Sequence, residues 1–183
     1  MKTGFKVAFL VLLFTPAFAQ NKEVDILLKN IIRSKEDTNR VLAYIEYGRF
    51  LENGNLDSAA KYYLKASALS NKLNYDNGRF KFISNYTYIL NLQGKFEPAL
   101  KLNKESLAIA KRMKNQVNVG KSLANIAASY TYMGNFAEGI KYYQQSADVF
   151  EKEGVTRYTP SIYVNIGTAF EHANLPEKSL VYK

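Results

Sequence analysis

The sequence predicts an all-α fold, a solenoid of helical hairpins with a forty-residue period. Three observations carry that expectation. First, the chain nearly repeats itself: "GNLDSAAKYYLKAS" begins at Gly54 and "GNFAEGIKYYQQSA" at Gly134. Gly54, Gly94 and Gly134 stand forty residues apart, and Asn174 takes the next slot. Other columns keep the same step: Ala59, Ala99, Gly139 and Ser179 are all small, while Phe50, Leu90, Tyr130 and Phe170 are all large and apolar. Agreement of many columns at one period marks a repeat array. Second, within a unit the apolar residues follow helical spacing. Leu123, Ile126, Ala127 and Tyr130 stand at i, i+3, i+4 and i+7, one stripe of a helix. Third, Gly134-Asn135 interrupts that stripe, as a glycine past a helix end does, and a second stripe follows at Phe136, Ile140, Tyr143 and Ala147. Period-two alternation is scarce, so strands are not expected.

The elements follow in chain order. Residues 1–19 read as a secretory signal peptide. Lys2 and Lys6 give a positive start, Val7 to Phe14 is unbroken apolar sequence, and Ala17-Phe18-Ala19 is a small-x-small cleavage site. That apolar run is shorter than the ~20 residues a membrane span needs, and no later run supplies one. Residues 20–37 are expected to form an N-terminal capping helix, with its stripe at Val24, Leu27, Leu28, Ile31 and Ile32. Four repeats follow, at about 38–77, 78–117, 118–157 and 158–183, the last one truncated. In the first repeat two registers remain open. Strict forty-residue spacing puts Glu46 and Tyr47 in the apolar and small slots, whereas a shift of one gives Tyr44, Tyr47, Gly48 and Leu51 and a turn one residue shorter. Small residues at 127, 139 and 146 are expected where two helix axes approach closely.

Residues 121–150 resemble the tetratricopeptide repeat, through Leu123, Ile126, Ala127, Tyr130, Gly134, Gly139 and Ser146. Residues 161–183 carry the resemblance through Tyr163, Ile166, Gly167 and Phe170, and residues 81–110 do so with Thr87 in the small slot. The resemblance implies a right-handed solenoid whose first helices line a concave, peptide-binding groove. The usual period of that family is about 34 residues, and about 40–47 would suit HEAT-type repeats, but the motif outweighs the length. The additional residues are expected at 71–80, 111–120 and 151–160, lengthening each second helix and the start of the next first helix.

Charge and chemistry narrow the function. The chain carries a formal +9, spread along its length, with Lys111-Arg112-Met113-Lys114 the densest cluster. That pattern reads as a solvated outer face, and no nucleic-acid partner is expected. There is no cysteine, so an exported chain would have no disulfide and must rely on packed apolar area. His172 stands alone, no grouping has zinc-ligand spacing, and no glycine loop could cradle a phosphate. No enzyme, metal or cofactor is therefore expected. The Tyr62-Tyr63 and Tyr142-Tyr143 pairs read as packing, one ring inward and one over the surface.

The resemblance directs attention to the groove. Asn85, Asn125 and Asn165 recur at forty residues, and a row of amides can both donate to and accept from a peptide backbone. Lys81, Lys121, Tyr88 and Tyr132 are expected beside that row, the lysines as attractors of a peptide carboxylate. Function is thus expected to be protein or peptide binding by an exported module, in the periplasm or beyond. The uncapped C-terminal end is expected to meet a second copy or further repeats. The stretch from Leu27 to Tyr44 before these repeats is also similar to exported sensory regions of bacterial sensor histidine kinases and related regulators. That similarity implies an alternative role, the N-terminal sensory part of a larger membrane-bound signalling protein.

Overall fold

The computed structural model describes residues 26, 27, 29, 31, 33 and 35–182. The leader expected at 1–19 and much of the helix expected at 20–37 lie outside the described residues. Residues 26, 27, 29, 31 and 33 are helical.

Eight α-helices follow: α1 (Thr38–Leu51), α2 (Leu56–Lys72), α3 (Asp76–Leu92), α4 (Phe96–Arg112), α5 (Gln116–Tyr132), α6 (Phe136–Lys152), α7 (Thr159–His172) and the short α8 (Pro176–Ser179). Two 3-10 turns, Thr156–Tyr158 and Leu180–Tyr182, flank the last pair, and no strand occurs among the described residues. Each helix packs on the next in sequence, while α1 touches α3 and α3 touches α5. The odd-numbered helices therefore stack on one side of the array and the even-numbered ones on the other, as the repeat predicts.

The forty-residue period divides into equal halves. Helices α2 to α6 are each 17 residues long and are joined by three-residue turns. From α2 onward a left-handed residue follows each long helix at a regular step: Asn74, Gly94, Lys114, Gly134, Gly154 and Asn174 all have φ between 50 and 77°. Past each one, the next N–H reaches back five residues, as in Tyr75 to the Ser70 carbonyl and Asn135 to the Tyr130 carbonyl, both at 2.9 Å. These are Schellman closures, which satisfy carbonyls the helix ends leave free. The stretches 71–80 and 111–120 hold the end of one helix, its turn and the start of the next. The unit edges expected at 77/78 and 117/118 fall inside α3 and α5. The physical breaks are the turns before Asp76 and Gln116, where the left-handed residue reverses the chain.

The first repeat takes the shifted register. Residues 49–55 separate Gly48 from the start of α2, one residue fewer than the 88–95 and 128–135 stretches of the next two units. Gly48 is buried, and a Cβ built on it would meet the Tyr63 ring at 2.6 Å. That is the close helix approach the small slot requires. With one residue missing, the turn closes by an Asn55 N–H to Leu51 carbonyl bond of 2.8 Å, and Gly54 is not left-handed. The close approach expected around residues 127 and 139 also holds, since a Cβ on Gly139 would lie 3.3 Å from the Ala127 carbonyl oxygen.

Burial divides into two apolar clusters. One runs from Val41 to Leu123 and the other from Ala127 to Ala169. The first cluster crosses the α4–α5 seam, which also carries buried polar contacts. The fully buried Asn103 donates to Ser129 Oγ at 3.1 Å and to the Asn125 carbonyl at 3.2 Å, and Ser106 pairs with Ser122 at 2.9 Å. Buried polar groups ordinarily need such partners, and Ser106, Ser122 and Ser129 are paired packing contacts, while Ser70 Oγ and Asn103 Oδ1 are buried without one.

Candidate functional site

Large apolar side chains that face solvent are unevenly placed. On the long helices they are Tyr88 and Leu92 of α3, Tyr132 of α5, Val164 of α7 and, on the even-numbered helices, Leu64. Each is about half exposed (49–59%). The odd-numbered helices thus present an apolar strip that the even-numbered helices lack.

The strip has an aromatic rim. Tyr132 at the end of α5 stacks on Phe96 at the start of α4, with centroids 5.5 Å apart. His172 at the end of α7 stacks on Phe136 at the start of α6, at 5.7 Å. Each pair spans the same step along the chain, so the rim is a product of the repeat. Below it lies a cleft of about 370 Å³ lined by Ala128, Thr131 and Tyr132 of α5, Phe136 and Tyr143 of α6, and Asn165, Thr168 and His172 of α7. No carboxylate, lysine or arginine lines it. Thr131 and Thr168 donate their hydroxyls to carbonyls of their own helices, Ala127 and Val164, both at 3.0 Å.

Tyr143 forms the floor and is only 5% exposed. Burial, with the Tyr132 phenol second, pushes its hydroxyl above the ordinary phenol value, so it stays protonated. Its counterpart in the first unit, Tyr63, is fully buried and donates to Glu52 Oε1. Tyr143 Oη has no hydrogen-bond partner among the described residues.

The residues expected in the groove separate on this frame. Tyr132 and Asn165 come together in the cleft, and Tyr88 stands exposed on α3. The three asparagines are not equivalent. Asn85 donates its amide to the Lys81 carbonyl of its own helix at 2.7 Å, Asn125 is half-buried on α5, and Asn165 is exposed. Lys81 is exposed. Lys121 lies over the Tyr158 ring, 5.1 Å from its centroid, with Arg157 on the same ring at 4.7 Å. The Lys121 ammonium, assisted by Arg157, draws the Tyr158 phenol below its ordinary range. Phe136, Tyr143, Thr168 and His172 were not expected in the site. Their signal was the Phe96–Tyr132 and Phe136–His172 spacing, which links adjacent units and not positions within one.

Among the described residues, no group of three His, Cys, Asp or Glu side chains is placed to hold a metal ion. No described helix is long and apolar enough to cross a membrane.

Comparison with known proteins agrees with this architecture. Residues 119–153, spanning α5 and α6, match the tetratricopeptide repeat family. Among curated proteins, none matches the sequence significantly. In three dimensions the chain is similar to a signal transduction ATPase with numerous domains and a tetratricopeptide repeat sensor from Pyrococcus horikoshii, with 22% identity and a TM-score of 0.78 over 89% of this chain and 25% of that one. It is similar to aspartyl phosphate phosphatase F from Bacillus subtilis, with 16% identity and a TM-score of 0.77 over 90% of this chain and 47% of that one. It is also similar to nearly identical TPR-like repeats from Podosopora anserina, with 14% identity and a TM-score of 0.68 over 91% of this chain and 84% of that one. The chain spans a quarter of the Pyrococcus protein's length. At these identities the likeness is one of fold.

Proposed function

We propose that this tetratricopeptide-repeat solenoid is a non-enzymatic, exported module that binds a segment of a partner protein along its odd-numbered helices. The observation that carries the reading is the one-sided apolar strip of Tyr88, Leu92, Tyr132 and Val164. Exposed aromatic side chains are the usual anchors of protein interfaces, because they bury large area at small entropic cost. Fold-level likeness to a protein with a repeat sensor supports binding as the task of such an array. Export rests on the Lys2 to Ala19 leader pattern.

The test is selection of phage-displayed random peptides on the full chain, followed by calorimetry of an enriched peptide. Tyr132→Ala is expected to weaken binding at least tenfold and Leu64→Ala to leave it unchanged, since hot-spot aromatics cost about 2 kcal/mol or more when truncated. Equal effects of the two variants would refute the strip as the binding face.

A second reading is favoured by the partial coverage of the Pyrococcus protein, in which a similar array is one part of a signalling chain. Here the array is the sensory part of a larger membrane-bound histidine kinase or regulator. An immunoblot of source cells with antibody raised to residues 35–182 distinguishes them: a band much larger than 20.8 kDa in the membrane fraction supports the sensor, and a band at or below that mass refutes it.

A further inference from the structure

Resting on the peptide-binding reading, we infer that the cleft between α5 and α7 is a side-chain pocket for one uncharged aromatic residue of the bound segment, tyrosine before phenylalanine. The cleft volume of about 370 Å³ equals roughly a dozen waters at about 30 Å³ each. That is room for one large side chain with its backbone, and more than a small aliphatic group fills.

The lining selects the chemistry. Its eight residues include no carboxylate, lysine or arginine, so a charged side chain entering it would lose hydration without a counter-charge. Tyr132, Phe136, Tyr143 and His172 supply ring surface, which favours a flat partner held by stacked or edge contacts. Few polar atoms are free. The Thr131 and Thr168 hydroxyls are engaged with their own helices, which leaves the Tyr132 and Tyr143 hydroxyls, the Asn165 amide and the His172 ring. A phenol brings one hydroxyl, which these groups can satisfy.

Tyr143 points to a ligand most directly. The same slot in the first unit holds Tyr63, buried and bonded to Glu52, and in the second unit holds Asn103, buried and bonded to Ser129 and the Asn125 carbonyl. In the third unit the Tyr143 hydroxyl opens onto the cleft and has no protein partner among the described residues. A hydroxyl that opens onto the cleft without a protein partner is free to donate to an occupant's phenol oxygen.

The experiment compares wild type with Tyr143→Phe on the full chain, using peptides enriched from the random phage-displayed library and their tyrosine-to-phenylalanine analogues. Enriched peptides are expected to share an aromatic residue. Tyr143→Phe is expected to weaken a tyrosine peptide about two- to tenfold, the range of one neutral hydrogen bond, and to leave its phenylalanine analogue unchanged. The thermal midpoint is expected to stay put, because no protein bond is lost. Enriched peptides without a shared aromatic residue, or with equal affinity for wild type and Tyr143→Phe, would overturn the pocket while a Tyr132→Ala effect keeps the strip. A library with no enriched peptide would overturn both.

Discussion

Units two and three share one backbone plan and fill it from opposite sides. In unit two the slot at the start of the first helix holds Phe80, and the slot at the end of the second helix holds Ala110; both are buried in one cluster. In unit three the same slots hold Gly120 and Phe150. Phe150 is 1% exposed, and a Cβ on Gly120 would meet its ring at 2.8 Å. The ring has moved from one helix to the other, and the small residue has moved the other way. The period therefore conserves volume at a contact, and residue type at each slot follows from what stands across from it.

Breaking that contact has the largest expected effect. Phe150→Ala removes a fully buried ring that also packs on Tyr158 at 4.7 Å, and a cost of about 3–5 kcal/mol is expected in denaturant unfolding. Gly120→Phe alone overpacks the same site and is expected to destabilise by about 1–3 kcal/mol. The double variant copies unit two, and its loss should be smaller than the sum of the singles by at least about 1 kcal/mol. Additive losses would show that the two units do not share this contact.

The next comparison is between buried phenols. Tyr63→Phe removes a bond to the Glu52 carboxylate and is expected to cost about 1.5 kcal/mol, the lower range for a hydrogen bond to a charged group. Tyr143→Phe removes no bond to the described protein and is expected to leave the melting curve unchanged. Matching shifts would mean that Tyr143 has a protein partner in solution.

These contrasts explain what the sequence disclosed. The apolar columns were legible because Leu123, Ile126, Ala127 and Tyr130 obey helical spacing on every copy. The Phe80–Ala110 and Gly120–Phe150 exchange was not, because its compensation runs between columns and each column alone loses its pattern. The twenty-residue half-period was hidden by chemistry: its left-handed residue is glycine at 94, 134 and 154, asparagine at 74 and 174, and lysine at 114. In the cleft, Tyr132 and Asn165 were legible from their columns. Tyr143 was read as packing, since an aromatic at helical spacing is equally a core ring and a cleft floor; only its missing hydrogen-bond partner separates the two.

The turns of units two and three offer a gentler test. Lys114 and Gly154 occupy the same slot, with φ of 52 and 67°. A side chain in this conformation costs about 1–2 kcal/mol that glycine avoids. Lys114→Gly is thus expected to stabilise, by about 1 kcal/mol after the greater freedom of glycine in the unfolded chain is offset, and to raise the melting midpoint about 2–4 °C. A lowered midpoint would show that the Lys114 side chain makes a stabilising contact.

The smallest effect separates the units electrostatically. At the forty-residue step, Glu36 pairs with Lys72, and Asp76 pairs with Arg112 through bonds of 2.7 and 2.8 Å, while unit three has the neutral Gln116 opposite Lys152. Arg112, with Arg79 second, holds the Asp76 carboxyl below its ordinary value. Because the folded value is the depressed one, the pair stabilises fully above the unfolded value of about 3.9 and fades as pH falls through the folded value. The Arg112 side chain is 56% exposed, so solvent screening keeps the effect small. Asp76→Asn is expected to lower the midpoint at pH 7 by at most about 3 °C, and the gap to wild type should close in acid. Gln116→Glu should install the missing pair in unit three and raise the midpoint by a similar amount, again only above the carboxylate range. A gap that persists at low pH would trace the loss to the first turn of α3 and not to the ion pair.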